Sequence, residues 1–94
     1  MPLSVKFVGA LRHISGKTQL TVNCEKGILL KDLLTNISHE LPELKKTFSD
    51  QILNDSRSNS LILVNGREIS VLNGLDTELS DGDEIVFVPV VHGG

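Results

Sequence analysis

The hydrophobic pattern changes its period along the chain. In "LSVKFV" (3–8), Leu3, Val5 and Phe7 fall on one face and Ser4, Lys6 and Val8 on the other. That alternation, in residues rich in β-branched and aromatic side chains, predicts a strand. "SGKTQLTVN" predicts a turn at Ser15-Gly16 and a second strand with Thr18, Leu20 and Val22 in phase. The two strands would form an N-terminal hairpin. In "ILLKDLLTNISHEL" the spacing lengthens: Leu30, Leu33, Leu34, Ile37 and Leu41 recur every three or four residues, one face of an amphipathic helix. Gly27 precedes it as a loop or cap residue. Pro42 ends this helix or opens a short second one, "PELKKTF", because proline suits a first turn and not an interior.

The second half returns to strands. "QILNDSRSNS" (51–60) is polar with small residues and predicts a surface loop. "LILV" predicts a buried strand. Asn65-Gly66 signals a type I′ hairpin, whose two central positions need positive φ. "REISVL" returns from it, "NGLDTELSDGD" is turn-rich, and "EIVFV" is the last strand. The order β-β-α-β-β-β with one main helix is an α+β layer arrangement. It predicts a β-grasp, or ubiquitin-like, fold: a mixed five-stranded sheet packed on one main helix. Antiparallel hairpins would flank a parallel pairing of the first and last strands at the centre. The expected organisation is a domain over 1–88 and a flexible C-terminal tail over 89–94, since Pro89 has no N–H for a ladder and should stop the strand.

Composition narrows the chemistry. The 94 residues suit one domain and carry a net charge of −3. Nucleic-acid binding needs a basic stripe, so no direct nucleic-acid ligand is expected. Cys24 is the one cysteine, which excludes an internal disulfide and an all-cysteine metal site. Its neighbours Asn23 and Glu25 offer nothing to activate a thiol, and it reads as structural. His13 and His39 are isolated, and "SDGD" reads as a turn with Gly82 at positive φ; no catalytic set and no metal site is expected. Asp83 and Glu84 are candidates for electrostatic docking. Without a signal-peptide pattern or an apolar run near ~18 residues, the expected location is the cytoplasm.

The chain closes on "VVHGG". A Gly-Gly end has no side chains, can thread a narrow channel and lets another backbone approach closely. The α-carboxylate is ionised at neutral pH and is a poor electrophile. To transfer anything it must be activated, for example as an acyl-adenylate. The chain carries no P-loop and no Gly-rich phosphate fingerprint, so the activating machinery would be another protein.

"LRHISG", "LVNGREI" and above all "LSDGDEIVFVPVVHGG" resemble the sulfur-carrier superfamily of molybdopterin-synthase small subunits, small archaeal modifier proteins and ubiquitin-related modifiers. The resemblance spans essentially the whole chain. It implies a carrier and not an enzyme. An activating enzyme of the ubiquitin-activating type, using ATP and Mg, would adenylate Gly94; the chain itself would hold no cofactor. Sulfur transfer would give a thiocarboxylate for tRNA thiolation, or the glycine would be joined to target-protein lysines. By position Gly94 is the activated residue and Gly93 the second tail glycine. His92 and Val91 would be read by the activating enzyme. "HGG" resembles the ubiquitin-related modifiers, whereas "VPVV" looks more like the molybdopterin type.

Strand parity suggests where a partner docks. Lys6 and Glu84 should face solvent, which carries Val8, Val86 and Val88 to the same face, together with Ile62 or Val64. An exposed apolar patch of that kind marks an interface. Three readings follow. One is a monomeric modifier and sulfur carrier. Another is the small subunit of molybdopterin synthase, with its tail inserted in a large subunit. The last is a non-catalytic β-grasp interaction domain that tolerates loss of Gly93-Gly94.

Overall fold

The computed structural model describes residues 2–52 and 60–89. The alternation of the first segment forms β1 (Leu3–Phe7), with Leu3, Val5 and Phe7 buried. β2 (Gln19–Val22) pairs antiparallel with it, Val5 opposite Leu20. The expected hairpin differs in its connection. A six-residue helix, α1 (Ala10–Ser15), lies between the strands, and Gly16 of the expected turn is its C-cap. Only Leu11 and Ser15 of α1 are buried, too few positions to register as a helical period.

The 3.6-residue pattern forms α2 (Leu30–Glu40), burying Leu30, Leu33, Leu34 and Ile37. Ile28 and Leu29, read as part of that helix, instead form a short strand, β3, antiparallel to β6 (Glu78–Leu79). Pro42 starts a 3-10 turn that leads into α3 (Lys45–Ile52), as its fixed φ and missing N–H allow. Gln51 and Ile52 therefore belong to α3 and Ser60 to a strand; residues 53–59 of the expected loop lie outside the described residues.

β4 (Ser60–Val64) pairs antiparallel with β7 (Glu84–Pro89), and β7 pairs parallel with β1. Asn65 and Gly66 take φ of 51° and 84°, the expected I′ geometry. The return strand is shorter than "REISVL" predicts. β5 is only Arg67–Glu68, because Glu68 accepts the Ser70 N–H at 2.8 Å and caps a 3-10 turn over Ile69–Val71. A local side-chain bond here displaces the ladder. The five-stranded order is β2-β1-β7-β4-β5, with the parallel pair at its centre, which is the β-grasp layout. β7 takes in Pro89, level with Ser60, one residue beyond the expected boundary at 88.

α2 and α3 cover the inner face of the sheet, and three phenylalanines join the layers. The Phe7 and Phe87 rings stack with centroids 5.9 Å apart, and Phe48 of α3 tilts against Phe87 at 4.9 Å. Phe87 is fully buried, so Phe87→Ala removes contacts to both layers. It is expected to cost about 3–5 kcal/mol, read as a lowered urea midpoint. Against a domain total of about 5–15 kcal/mol, that is a large share of the stability.

Candidate functional site

The two faces of the sheet differ in burial and polarity. On the inner face Val5, Ile85 and Val64 share one row, and Phe7, Phe87 and Ile62 the next; all are buried. The outer face carries the residues between them. At one end Thr21, Ser4 and Glu84 are level and polar. In the middle row Gln19, Lys6, Val86, Leu63 and Glu68 lie side by side. At the other end Val8 follows Phe7 and comes level with Val88, which faces Leu61. Polarity thus falls along β7 toward Pro89. Val8 and Leu61 are 38% and 37% exposed, and Val86, Val88 and Leu63 are half-buried.

Val8, Val86 and Val88 occupy this outer face as strand parity suggests. Val64 and Ile62 do not: they are 6% and 1% exposed and belong to the core. "LILV" is four apolar residues in succession and carries no phase of its own. Its phase comes from the register with β7, where Val64 faces the buried Ile85. Leu61 and Leu63 are the outward members, so β4 alternates and is not buried throughout. Val91, His92, Gly93 and Gly94 lie outside the described residues.

The charged groups of the face are already paired. Lys6 Nζ meets Glu84 Oε2 at 2.9 Å, a surface pair worth at most about 1 kcal/mol. The hydroxyl and N–H of Ser70 hold the Glu68 carboxyl below its usual range. Asp83, a candidate for docking, is bound inside the turn. Its two carboxylate oxygens accept from the Asn65 amide at 3.0 Å and the Ser80 N–H at 2.9 Å. Asn65 Oδ1 in turn accepts the Glu84 N–H at 2.9 Å. "SDGD" is therefore a structural corner, with Gly82 at φ 92° as expected. Asp81 accepts the Cys24 N–H at 2.8 Å. Burial, reinforced by the Asp81 and Asp83 carboxylates, raises the Cys24 thiol above its usual value and disfavours the reactive thiolate. No group of three His, Cys, Asp or Glu side chains among the described residues could hold a metal ion, and no described helix is long and apolar enough to cross a membrane.

Such a face, with its aliphatic end where the C-terminal residues attach, suits docking better than chemistry within the domain. In comparison with known proteins, the ThiS family matches residues 5–94, through the last residue. The chain belongs to the ThiS family. Small archaeal modifier protein 3 of Haloferax volcanii is 27% identical over 96 residues, spanning 100% of both chains. Ubiquitin-related modifier 1 homolog 2 of Arabidopsis thaliana is 31% identical over 104 residues, again with 100% of both covered. The solution structure of small archaeal modifier protein 1 from Methanosarcina acetivorans superposes with a TM-score of 0.74 at 32% identity, covering 98% of this chain and 95% of that one. The fold of this ThiS family member is thus the ubiquitin-like β-grasp.

The two faces give a contrast that mutation can read. Leu61→Asp adds a charge where water already reaches, and the circular dichroism spectrum and melting temperature should stay close to wild type. Val64→Asp buries a carboxylate without a partner and should lower the melting temperature by 10 °C or more, on the order of the several kcal/mol such burial costs. Equal melting of the two variants would contradict the assignment of faces.

Proposed function

We propose that this chain is a ubiquitin-like protein modifier and sulfur carrier of the cytoplasm, acted on by a separate ATP-dependent enzyme. The observation that carries the reading is the family match, which runs through Gly94. The small archaeal modifier and ubiquitin-related modifier relatives support the same reading. The chemistry follows from the carboxylate. An oxygen of the Gly94 carboxylate attacks the α-phosphorus of ATP on the activating enzyme, and pyrophosphate leaves. The resulting acyl-adenylate is an electrophile. Hydrosulfide displaces AMP and gives the thiocarboxylate, or a lysine amine of a target displaces it and gives an isopeptide bond.

Docking falls to the outer sheet face. Val8, Val88 and Leu61 form an aliphatic row beside the attachment of residues 90–94, with Val86 and Leu63 behind it. A partner seated there would meet the tail directly. Gly93 and Gly94 would enter its active-site channel, and Val91 and His92 would be read at the entrance. Removal of this apolar surface from water supplies affinity at roughly 25 cal/mol per Å² before the costs of association. Val88→Asp should therefore weaken binding to the activating enzyme by tenfold or more, with an unchanged circular dichroism spectrum.

The deciding measurement is the intact mass of the chain produced in its native host. Replacement of one carboxylate oxygen by sulfur, the product expected of an activated acyl group, adds about 16 Da. That species should vanish when Gly94 is deleted. Heavier lysine-linked adducts that also need Gly94 would show conjugation. A thiocarboxylate found only in complex with a larger subunit that sulfurates a pterin would instead favour the molybdopterin-synthase role. If neither product forms and the deletion behaves as wild type, the carrier reading is wrong and a plain interaction domain stands.

A further inference from the structure

The charges of the chain are divided unevenly along it. Residues 1–24 hold three cations, Lys6, Arg12 and Lys17, and no carboxylate; all 12 Asp and Glu residues come from Glu25 onward. The segment that forms β1, α1 and β2 is therefore basic in a chain whose net charge is −3. Lys6 is paired with Glu84. Arg12 and Lys17 are exposed, and among the described residues neither makes an ion pair. Lys17 ends the aliphatic row of the outer face. The antiparallel register sets Lys6 opposite Gln19, and the Phe7 N–H donates to the Thr18 carbonyl at 3.0 Å, one residue further on. The next two residues in that register are Val8 and Lys17, which share the parity of Lys6 and Gln19 and so the outer face. Across the sheet the row reads Lys17, Val8, Val88, Leu61, a cation followed by three aliphatic side chains. The backbone of Lys17 is held in place. Gly16 closes α1 at φ 73°, and the buried Ser15 hydroxyl bonds Lys17 twice, accepting its N–H at 3.1 Å and donating to its carbonyl at 2.9 Å.

We propose that the partner seated on this row is an apolar protein surface bearing a carboxylate on the β2 side, where Lys17 meets it and Arg12 adds to the local potential. This inference rests on the carrier reading above and names the chemistry of the docking partner. An aliphatic row has no sense of its own: an apolar surface can lie on it running from β2 to β4 or the reverse. A cation at one end removes that ambiguity, because complementary charge fixes register and orientation more than it adds affinity. The remainder of the chain sharpens the choice. With every carboxylate placed after residue 24, an acidic partner surface is repelled by most of the molecule and attracted at this flank. The buried hydrogen bonds of Ser15 keep the cation beside Val8 while the ammonium itself stays in water.

The test uses the full chain in extract of its native host supplied with ATP. The reading is the initial rate of Gly94 conversion by intact mass, at chain concentrations where rate is still proportional to concentration. Lys17→Glu reverses the charge. Lys17→Arg keeps the charge and removes the amine. Lys46→Glu is the control: it makes the same change of net charge at an exposed position of α3, on the other layer. Lys17→Glu should be converted about fivefold more slowly at low salt. The difference should shrink to less than about twofold at about 0.5 M KCl, as screening removes an exposed charge pair. Lys17→Arg and Lys46→Glu should stay within about twofold of wild type. Added in excess with Gly94 deleted, the Lys17→Glu chain should compete with wild-type conversion about fivefold less well than the Gly94-deleted wild-type chain, which puts the loss in docking. Wild-type rate in Lys17→Glu, equal slowing by Lys46→Glu or by Lys17→Arg, or slowing that salt does not relieve would each overturn the acidic partner and leave the carrier reading standing. Dimerisation of the wild-type chain in sedimentation, lost in Leu61→Asp, would give the row to a second copy and overturn it too. Absence of any conversion of wild type overturns the carrier reading and this inference with it.

Discussion

The parallel pairing of β1 with β7 is the constraint on which the rest of the structure depends. It joins the first strand to the last, so almost the whole chain lies in the loop that it closes. Closing a loop that long costs only slightly more entropy than closing one half its length, because the cost grows with the logarithm of length. It does make a central contact non-local and folding correspondingly slow. The gain is a buried row, Phe7 against Phe87 and Val5 against Ile85, on which α3 lays Phe48. With β1 and β7 in register, every other residue of both strands is assigned to the helix side or the solvent side. The same register brings Gly9 beside Pro89, where a Cβ on the glycine would stand 3.1 Å from the ring.

A second set of interactions holds the opposite end of the sheet. Asn65 at the I′ turn binds Asp83 and the Glu84 N–H, and the Pro2 carbonyl accepts from the Gly82 N–H at 3.3 Å. The Asp81 carboxylate reaches Cys24 across the connection between β2 and β3. The acidic residues of "SDGD" therefore bind turns to one another. This division has a chemical consequence. The carboxylates at the polar end are engaged in structure, and burial favours the protonated form of the thiol.

Much of this was legible in the sequence, and the failures have identifiable causes. β1, α2, the Asn65-Gly66 turn and β7 each carry a period or a turn residue that only one conformation satisfies. α1 was not legible because six residues with one buried leucine show no period, and its C-cap Gly16 looks the same as a hairpin turn. β3 and β6 are two residues each and exist only as a pair of segments far apart in sequence. "REISVL" has the alternation of a strand, but Glu68 binds Ser70 and ends pairing after two residues. Of the outer face, Val8, Val86 and Val88 were readable because Lys6 and Glu84 mark the solvent side of their strands. Val64 was misassigned because "LILV" has no polar residue to mark a side; only its partners in β7 do that.

The apolar outer face raises a question of its own, since exposed aliphatic strands invite unwanted association. The arrangement limits that risk in two ways. Of the strands that carry the patch, β1 and β7 are interior members of the sheet, so their side chains are available while most of their backbone groups are paired; β4 is covered by β5 only at Leu63 and Val64. The patch is also confined to one end, with the Lys6–Glu84 pair and a polar row behind it. A flat partner laid over the whole sheet would have to cover those charges. One that overhangs the Pro89 end covers only aliphatic side chains. On the docking proposed for this face, the polarity gradient would orient a partner toward the Pro89 end, and it would do so with residues whose alternation leaves the core unaffected. Because strand side chains alternate, one four-residue stretch of β7 supplies both faces, Ile85 and Phe87 inward and Val86 and Val88 outward. Substitution can change the outer surface at the second pair without passing through the core at the first.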